Sequence, residues 1–209
     1  LAKSNNKINW NTILKEIKKE KTFNWGVATS SYQIEGAHDI DGRGPSVWDV
    51  FSHTKGKVKN GDTGDIACDH YNKFSDDINL MKDLGVDSYR FSVSWPRIFP
   101  IGTEQKINQK GMDFYDRLVD ELMENDITPF LTLNHWDMPQ GLEDLGGWTN
   151  RETVEHFVKY GHYMSRCLGD RVINWISHNE PWCISFLGYV EGRKPVSYTH
   201  LRAHETRSY

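Results

Sequence analysis

Residues able to do acid–base and sugar-binding chemistry recur at one kind of place, directly after runs of aromatic and β-branched residues. The run at 172–176, in "RVINWISHNEP", finishes on His178, Asn179, Glu180 and Pro181. "ITPFLTLNHW" finishes on Asn134, His135 and Trp136, with Asp137 next. "VDSYRFSVSW" carries Arg90, and "TFNWGVATSS" runs on to Gln33 and Glu35. A strand buried in a core has no reason to end on a carboxylate, whereas an active site at a strand's carboxyl end does. Cleaving an acetal requires a proton for the leaving oxygen and a carboxylate that stabilises or attacks the oxocarbenium-like carbon. Glu180 is the best acid candidate, and Asn179 beside it can donate to a sugar hydroxyl. From the residues alone a second reading stands equal. Glu180 could cap a helix starting at Pro181, where a negative charge is favoured.

The intervening segments carry helical spacing. Phe74, Ile78, Met81 and Leu84 mark one face, with Gly85 as a C-terminal stop. Tyr115, Leu118, Val119 and Leu122 mark a second, ending at Asn125. Thr149 and Glu152 read as a capping box for a third. Its inner face is Val154, Phe157, Met164 and Leu168, and Gly169 ends it. Residues 8–21, including "KEIKKEK", read as a short charged helix with a solvated face. Residues 35–69 are Gly/Asp-rich and read as irregular; loops of that length are functional or disordered.

Alternating strands and helices predict a parallel sheet covered by helices, and both a doubly wound sheet and a (β/α)₈ barrel fit. The loop after the first strand holds neither G-x-G-x-x-G nor G-x-x-x-x-G-K, which weakens nucleotide binding. In a barrel, the carboxyl ends of the strands form the active-site face. Polar groups at four successive strand ends therefore point to one concave polar site.

Composition narrows the function classes. The chain has 209 residues, a net charge of -4 and a pI near 6.1, with no basic stripe, so no nucleic-acid partner is expected. No apolar run approaches the ~18 residues of a membrane span, and no signal-peptide core is visible after Leu1, so a cytoplasmic setting is expected. Cys68, Cys167 and Cys183 are widely spaced, which suits reduced, buried thiols rather than a disulfide framework or a zinc site. "CDHY" at 68–71 lacks metal-ligand spacing and is read as structural; no metal or cofactor is expected. His178 should point away from Asn179 by the strand period of two and pack.

One stretch carries a specific resemblance. "FNWGVATSSYQIEGA", residues 23–37, resembles the N-terminal signature of glycoside hydrolase family 1, the β-glucosidase family. "GDIACDHYNKFSDDINLMKDLGVDSYRFSVSWPRIFP", "HWDMPQGLEDLGGW" and "NEPW" follow in the family's order. The resemblance covers about residues 20–193. It implies the first four units of a (β/α)₈ TIM barrel and retaining hydrolysis of β-linked glucosides or short oligosaccharides. It also implies roles. Gln33, His135 and Trp136 would bind hydroxyls of the −1 sugar, and Asn179 its 2-hydroxyl. Glu180 would be the general acid/base, and Arg90 would lie beneath the nucleophile and keep it ionised. Glu35 and Asp137 match no catalytic position. The family's nucleophile, in a Thr-Glu-Asn-Gly stretch at the seventh strand, has no counterpart here; "MEND" at 123–126 only echoes it. Specificity among glucose, galactose, fucose and 6-phospho-sugars is expected to lie largely in the half not present, and the sequence leaves oligomeric state open. From Lys194 the text changes to "KPVSYTHLRAHETRSY", which resembles a translated sequencing adapter. Residues 194–209 are therefore read as a non-native, disordered tail, and residues 1–193 as the family span.

Overall fold

The computed structural model describes residues 23–195, so the expected helix at 8–21 and the tail from 196 onward lie outside the described residues. Its centre is a parallel sheet of four strands in sequence order: β1 (Gly26–Ala28), β2 (Ser88–Ser92), β3 (Thr128–Asn134) and β4 (Asn174–His178). Register runs Ala28↔Arg90↔Phe130↔Asn174 across all four. Three long helices cover one side: α1 (His70–Leu84), α2 (Gln109–Glu124) and α3 (Arg151–Leu168). Strand, helix and neighbouring parallel strand repeat without a reversal in order. This is the first half of a (β/α)₈ barrel rather than a doubly wound sheet, whose order reverses at a switch point.

The core lies between the sheet's outer face and the helices. Tyr89, Phe91 and Leu131 pack there against Ile78 and Met81 of α1, Phe114, Tyr115, Leu118 and Leu122 of α2, and Tyr160, Met164 and Leu168 of α3. Trp95 stacks on Tyr160 at 5.0 Å with the rings 9° from parallel. A second element of this layer is ionic. Arg97, buried, pairs with buried Glu35 at 3.0 Å, and the Tyr115 hydroxyl donates to the same carboxylate at 2.5 Å. A buried charge is tolerated only when paired and hydrogen-bonded, which accounts for Glu35 without a catalytic role.

The helical faces predicted for α1 and α2 hold except at one residue. Leu84 is 70% exposed, because α1 ends there and Gly85 turns the chain away at φ 67°. At α3 the cap is Asn150, whose Oδ1 accepts from the Glu152 N–H at 3.0 Å; Thr149 belongs to the preceding turn. Gly169 closes α3 in right-handed conformation, so that stop does not depend on glycine's freedom. β1 is shorter than its aromatic-rich run suggested. Residues 35–69 are not all irregular. They hold the helix Val47–His53, started by a capping box in which Ser46 and Asp49 satisfy each other's backbone N–H. The cysteines are not buried as expected. Cys68 is exposed, Cys167 and Cys183 are half-buried, and all three are free thiols.

Candidate active site

On β2, Tyr89 and Phe91 turn toward the helices, which leaves Arg90 on the concave side. Its Nε donates to Thr132 Oγ1 of β3 at 3.2 Å and its Nη2 to Asn179 Oδ1, just past β4, at 2.7 Å. Asn179 is 8% exposed and held by its main chain as well. Its N–H donates to the Asn134 carbonyl at 2.9 Å, and its own carbonyl accepts from Trp136 Nε1 at 2.8 Å. Guanidinium only donates, so the contact with Arg90 fixes which end of the Asn179 amide is oxygen. The Nδ2 group is left as the donor.

Glu180 follows with φ at 46°, a left-handed conformation that costs a non-glycine residue ~1–2 kcal/mol. The strain sits at the point where the chain leaves β4, and it turns an exposed carboxylate out of the strand line. Such outliers cluster at functional sites. One turn on, desolvation and the nearby Glu180 carboxylate push the Cys183 thiol's pKa up.

At the end of β3, the His135 imidazole is pushed down to about 4 by desolvation and by Arg90, against the opposing pull of Glu180. It is neutral near pH 7, with one donor and one acceptor nitrogen for hydroxyl groups. Trp136 adopts φ 75°, and its indole N–H is already used on Asn179. The hydroxyl-binding role implied for Trp136 is thus not open to its only donor; its ring face is what it offers. Gln33 lies in the short helix Ser31–Ile34 after β1, where its Oε1 accepts from Ser30 Oγ at 2.7 Å and its Nε2 is left as donor.

All six residues, Gln33, Arg90, His135, Trp136, Asn179 and Glu180, line one open cleft of about 630 Å³. Glu35 and Asp137 do not. Asp137 is fully buried behind it, with Ser31 Oγ donating to its Oδ2, and burial raises its carboxyl to about 6. His178 packs against Phe157, ring centroids 4.5 Å apart, and Trp148 at 5.1 Å, as the strand period required. In "CDHY", buried His70 pairs with Asp77 at 2.6 Å and the Tyr71 hydroxyl donates to Asp41 at 2.9 Å, both structural.

Sequence reading missed the cleft's other wall. Trp48 stacks on Tyr32 at 5.6 Å and 27°, and Val58, Asp62, Thr63, Gly64 and Ala67 complete the rim. The Ser46-x-x-Asp49 capping signature would have located the helix that carries Trp48. Lys194 also reaches the cleft, its Nζ 6.0 Å from the Trp136 ring centroid.

Residues 16–206 match the profile described as "Glycosyl hydrolase family 1". The chain belongs to that family. Beta-glucosidase A of Acetivibrio thermocellus is 54% identical over 182 residues, which cover 87% of this chain and 40% of that protein. Beta-glucosidase A of Thermotoga maritima is 56% identical over 170 residues, 81% of this chain and 38% of that one. A solved family 1 β-glucosidase from Thermotoga maritima superposes with a TM-score of 0.83 at 54% identity, covering 85% of this chain and 40% of its own. The chain thus spans about 40% of the length of these family 1 relatives. No described helix is long and apolar enough to cross a membrane.

Proposed function

We propose that the family span, residues 1–193, is the acid/base half of a β-glucosidase that hydrolyses O-glycosidic bonds at the non-reducing end with retention. The observation that carries this reading is convergence: donors and a carboxylate from β2 and from the segments that follow β1, β3 and β4 meet in one cleft. Glu180 protonates the leaving oxygen and then, as base, activates the water that releases the sugar. Asn179 Nδ2 donates to the 2-hydroxyl, while neutral His135 and the Gln33 amide take neighbouring hydroxyls. Trp136 presents its ring face, and Arg90 holds Asn179 in orientation while adding positive charge where the nucleophile acts. Substrates are β-linked glucosides or short oligosaccharides. Free cysteines suit a reducing, cytoplasmic setting.

Glu180→Gln in the full-length protein tests it. Hydrolysis of substrates with poor leaving groups should collapse, activated aryl glycosides should suffer less in glycosylation, and azide should restore turnover because it needs no general base. Equal loss on both substrates without azide rescue would reduce Glu180 to a helix cap. Proton NMR should show the β-anomer released first; release of the α-anomer would end the retaining assignment.

One observation favours a second reading for the 209-residue chain on its own. The only carboxylates lining the cleft among the described residues are Glu180 and Asp62, and Asp62 sits on the loop wall rather than a strand end. Alone, the chain is then a sugar-binding half-site or an inactive fragment. The span boundary is part of the same proposal: residues 194–209 are foreign to the family, although the profile match runs to 206. Sequencing the gene past codon 193 decides it; strands of the missing half would support truncation, and an authentic stop after Tyr209 would oppose it.

A further inference from the structure

Behind the loop wall of the cleft, three side chains from separate segments meet. His38 lies just before the turn Ile40–Gly42, His53 ends the helix Val47–His53, and Asp65 follows the turn Lys59–Gly61. His53 Nε2 is 3.0 Å from Asp65 Oδ2, and His38 Nδ1 is 3.9 Å from Asp65 Oδ1. The two imidazoles have centroids 5.6 Å apart. One donor atom from each residue falls within 4.8 Å of the other two. Asp65 Oδ1 is buried and accepts no hydrogen bond, and 3.9 Å is too long for His38 to supply one.

We propose that His38, His53 and Asp65 form a binding site for a divalent transition-metal ion such as Zn²⁺ or Co²⁺. Two imidazoles and a carboxylate suit such ions rather than Ca²⁺ or Mg²⁺, which take oxygen ligands. Bonds of about 2.0–2.2 Å to a tetrahedral ion put donors about 3.4 Å apart, so a pair of donors at the 4.8 Å limit needs to close by about 1.4 Å. An ion on the rim of the Asp65 carboxylate reaches both oxygens, and the unpartnered Oδ1 gains the partner it lacks. Asp39 Oδ1, 3.6 Å from the same His38 nitrogen and exposed, is placed to swing in as a further oxygen donor. The remaining positions face solvent, so water can complete the coordination.

The location gives the site a consequence. Asp62, Thr63 and Gly64, just before Asp65, line the sugar cleft, and the Gly64 N–H donates to Tyr32 Oη at 3.2 Å on the inner side. A metal on the outer side would tie this wall to the helix bearing Trp48. The site is structural, and it is separate from the groups assigned to hydrolysis.

The test is a Co²⁺ titration of the 209-residue chain under reducing conditions, read by visible d–d absorption, with Zn²⁺ competing the signal away. One ion per chain is expected, and Cu²⁺ electron paramagnetic resonance should show two nitrogen donors. Losing even an outer-shell partner costs metal affinity about 10–100-fold, so His38→Asn and His53→Asn should each weaken binding by at least that much. His162→Asn, exposed on α3, and Cys68→Ser, an exposed thiol three residues after Asp65, should change nothing. Near-UV circular dichroism checks each variant's fold. If Asp65→Asn fails that check, His38→Asn still decides, since His38 is partly exposed at a turn. No stoichiometric binding, or binding indifferent to His38→Asn, overturns the proposal and leaves His53–Asp65 as a plain hydrogen-bonded pair. Binding lost in Cys68→Ser overturns it equally.

Discussion

Arg90 Nη2 donates to Asn179 Oδ1 at 2.7 Å, so a side chain in β2 sets the amide orientation of one at the end of β4. These strands are not neighbours: β3 lies between them, and Thr132 on it takes Arg90 Nε. The hydrogen bond closes the concave face across three strands. It also leaves Asn179 Nδ2 as the only donor that amide can offer a ligand.

Arg90→Lys in the full-length protein should break this relay, because an ammonium cannot serve Thr132 and Asn179 in the fixed fork a guanidinium provides. A hydrogen bond to a charged group contributes about 1.5–3 kcal/mol, so kcat/KM on a β-glucoside should drop roughly 10- to 150-fold. On the 2-deoxy substrate, which lacks the hydroxyl Asn179 would meet, the loss should be clearly smaller. An identical loss on both substrates would show that Arg90 does not act through Asn179.

Asp137 predicts a pH signature of stability. Burial raises its carboxyl from the usual 3.8 to about 6. The folded state therefore holds this proton more tightly than the unfolded state. Its contribution is most favourable below pH 3.8, declines as pH rises toward 6 and is flat above. At about 1.4 kcal/mol per pH unit, the full change is about 3 kcal/mol. His135 works in the opposite direction, since its lowered value removes stability as pH falls from 6.5 toward about 4. The difference between wild type and Asp137→Asn isolates the aspartate. Urea denaturation from pH 4 to 7 at fixed chain concentration should show wild type losing stability relative to the variant. Parallel curves would mean that Asp137 is ionised throughout.

That polar groups gather where the strands end was legible because it is local. Asn179-Glu180-Pro181 directly follows a β-like run, although spacing alone left Glu180 evenly between an acid and a helix cap. The alternation of strands and helices was legible for the same reason, since each helix writes its own 3.6 spacing between strands; the strand order was not, because a doubly wound sheet carries the same alternation and only the sheet's pairing separates the two. Contacts that depend on loop packing were not. Trp48 reaches the cleft only because Ser46 and Asp49 start a helix inside what reads as a Gly-rich loop, and because Tyr32 stacks beneath it. Asn150 displaced Thr149 as cap because two cap-competent residues stand side by side, and only the turn before them chooses. The engagement of the Trp136 N–H by the Asn179 carbonyl is a tertiary contact with no trace in sequence spacing.

Glu35 offers a test of what the buried polar layer contributes. Glu35→Ala would strand Arg97 in the core, with the Tyr115 hydroxyl also left without an acceptor. Breaking a buried pair from one side costs about 3–5 kcal/mol. Equilibrium denaturation should show a loss of that order, and Glu35→Gln should recover part of it by accepting from Tyr115. A loss below about 1 kcal/mol, the scale of an exposed pair, would mean that water reaches Arg97.

The 209-residue chain by itself should associate and should not turn over a β-glucoside. Retention requires two carboxyl groups about 5–5.5 Å apart, and among the described residues the cleft brings only the Glu180 carboxyl to a strand end. Loss of one essential catalytic residue costs several orders of magnitude in rate. Association follows from the sheet. β1 and β4 each pair on one side only, so both leave open edges among the described residues. Unpaired N–H and C=O groups at a strand edge are a template for pairing with another chain. Just beyond β4, Trp182 is 61% exposed and Val190 62%, a cost in water that a covering surface would remove. Sedimentation should show species heavier than the 24.3 kDa chain, shifting to larger size with concentration. A monodisperse monomer that hydrolyses an aryl β-glucoside, and loses that activity on Glu180→Ala, would place a nucleophile within these residues and contradict the half-site reading.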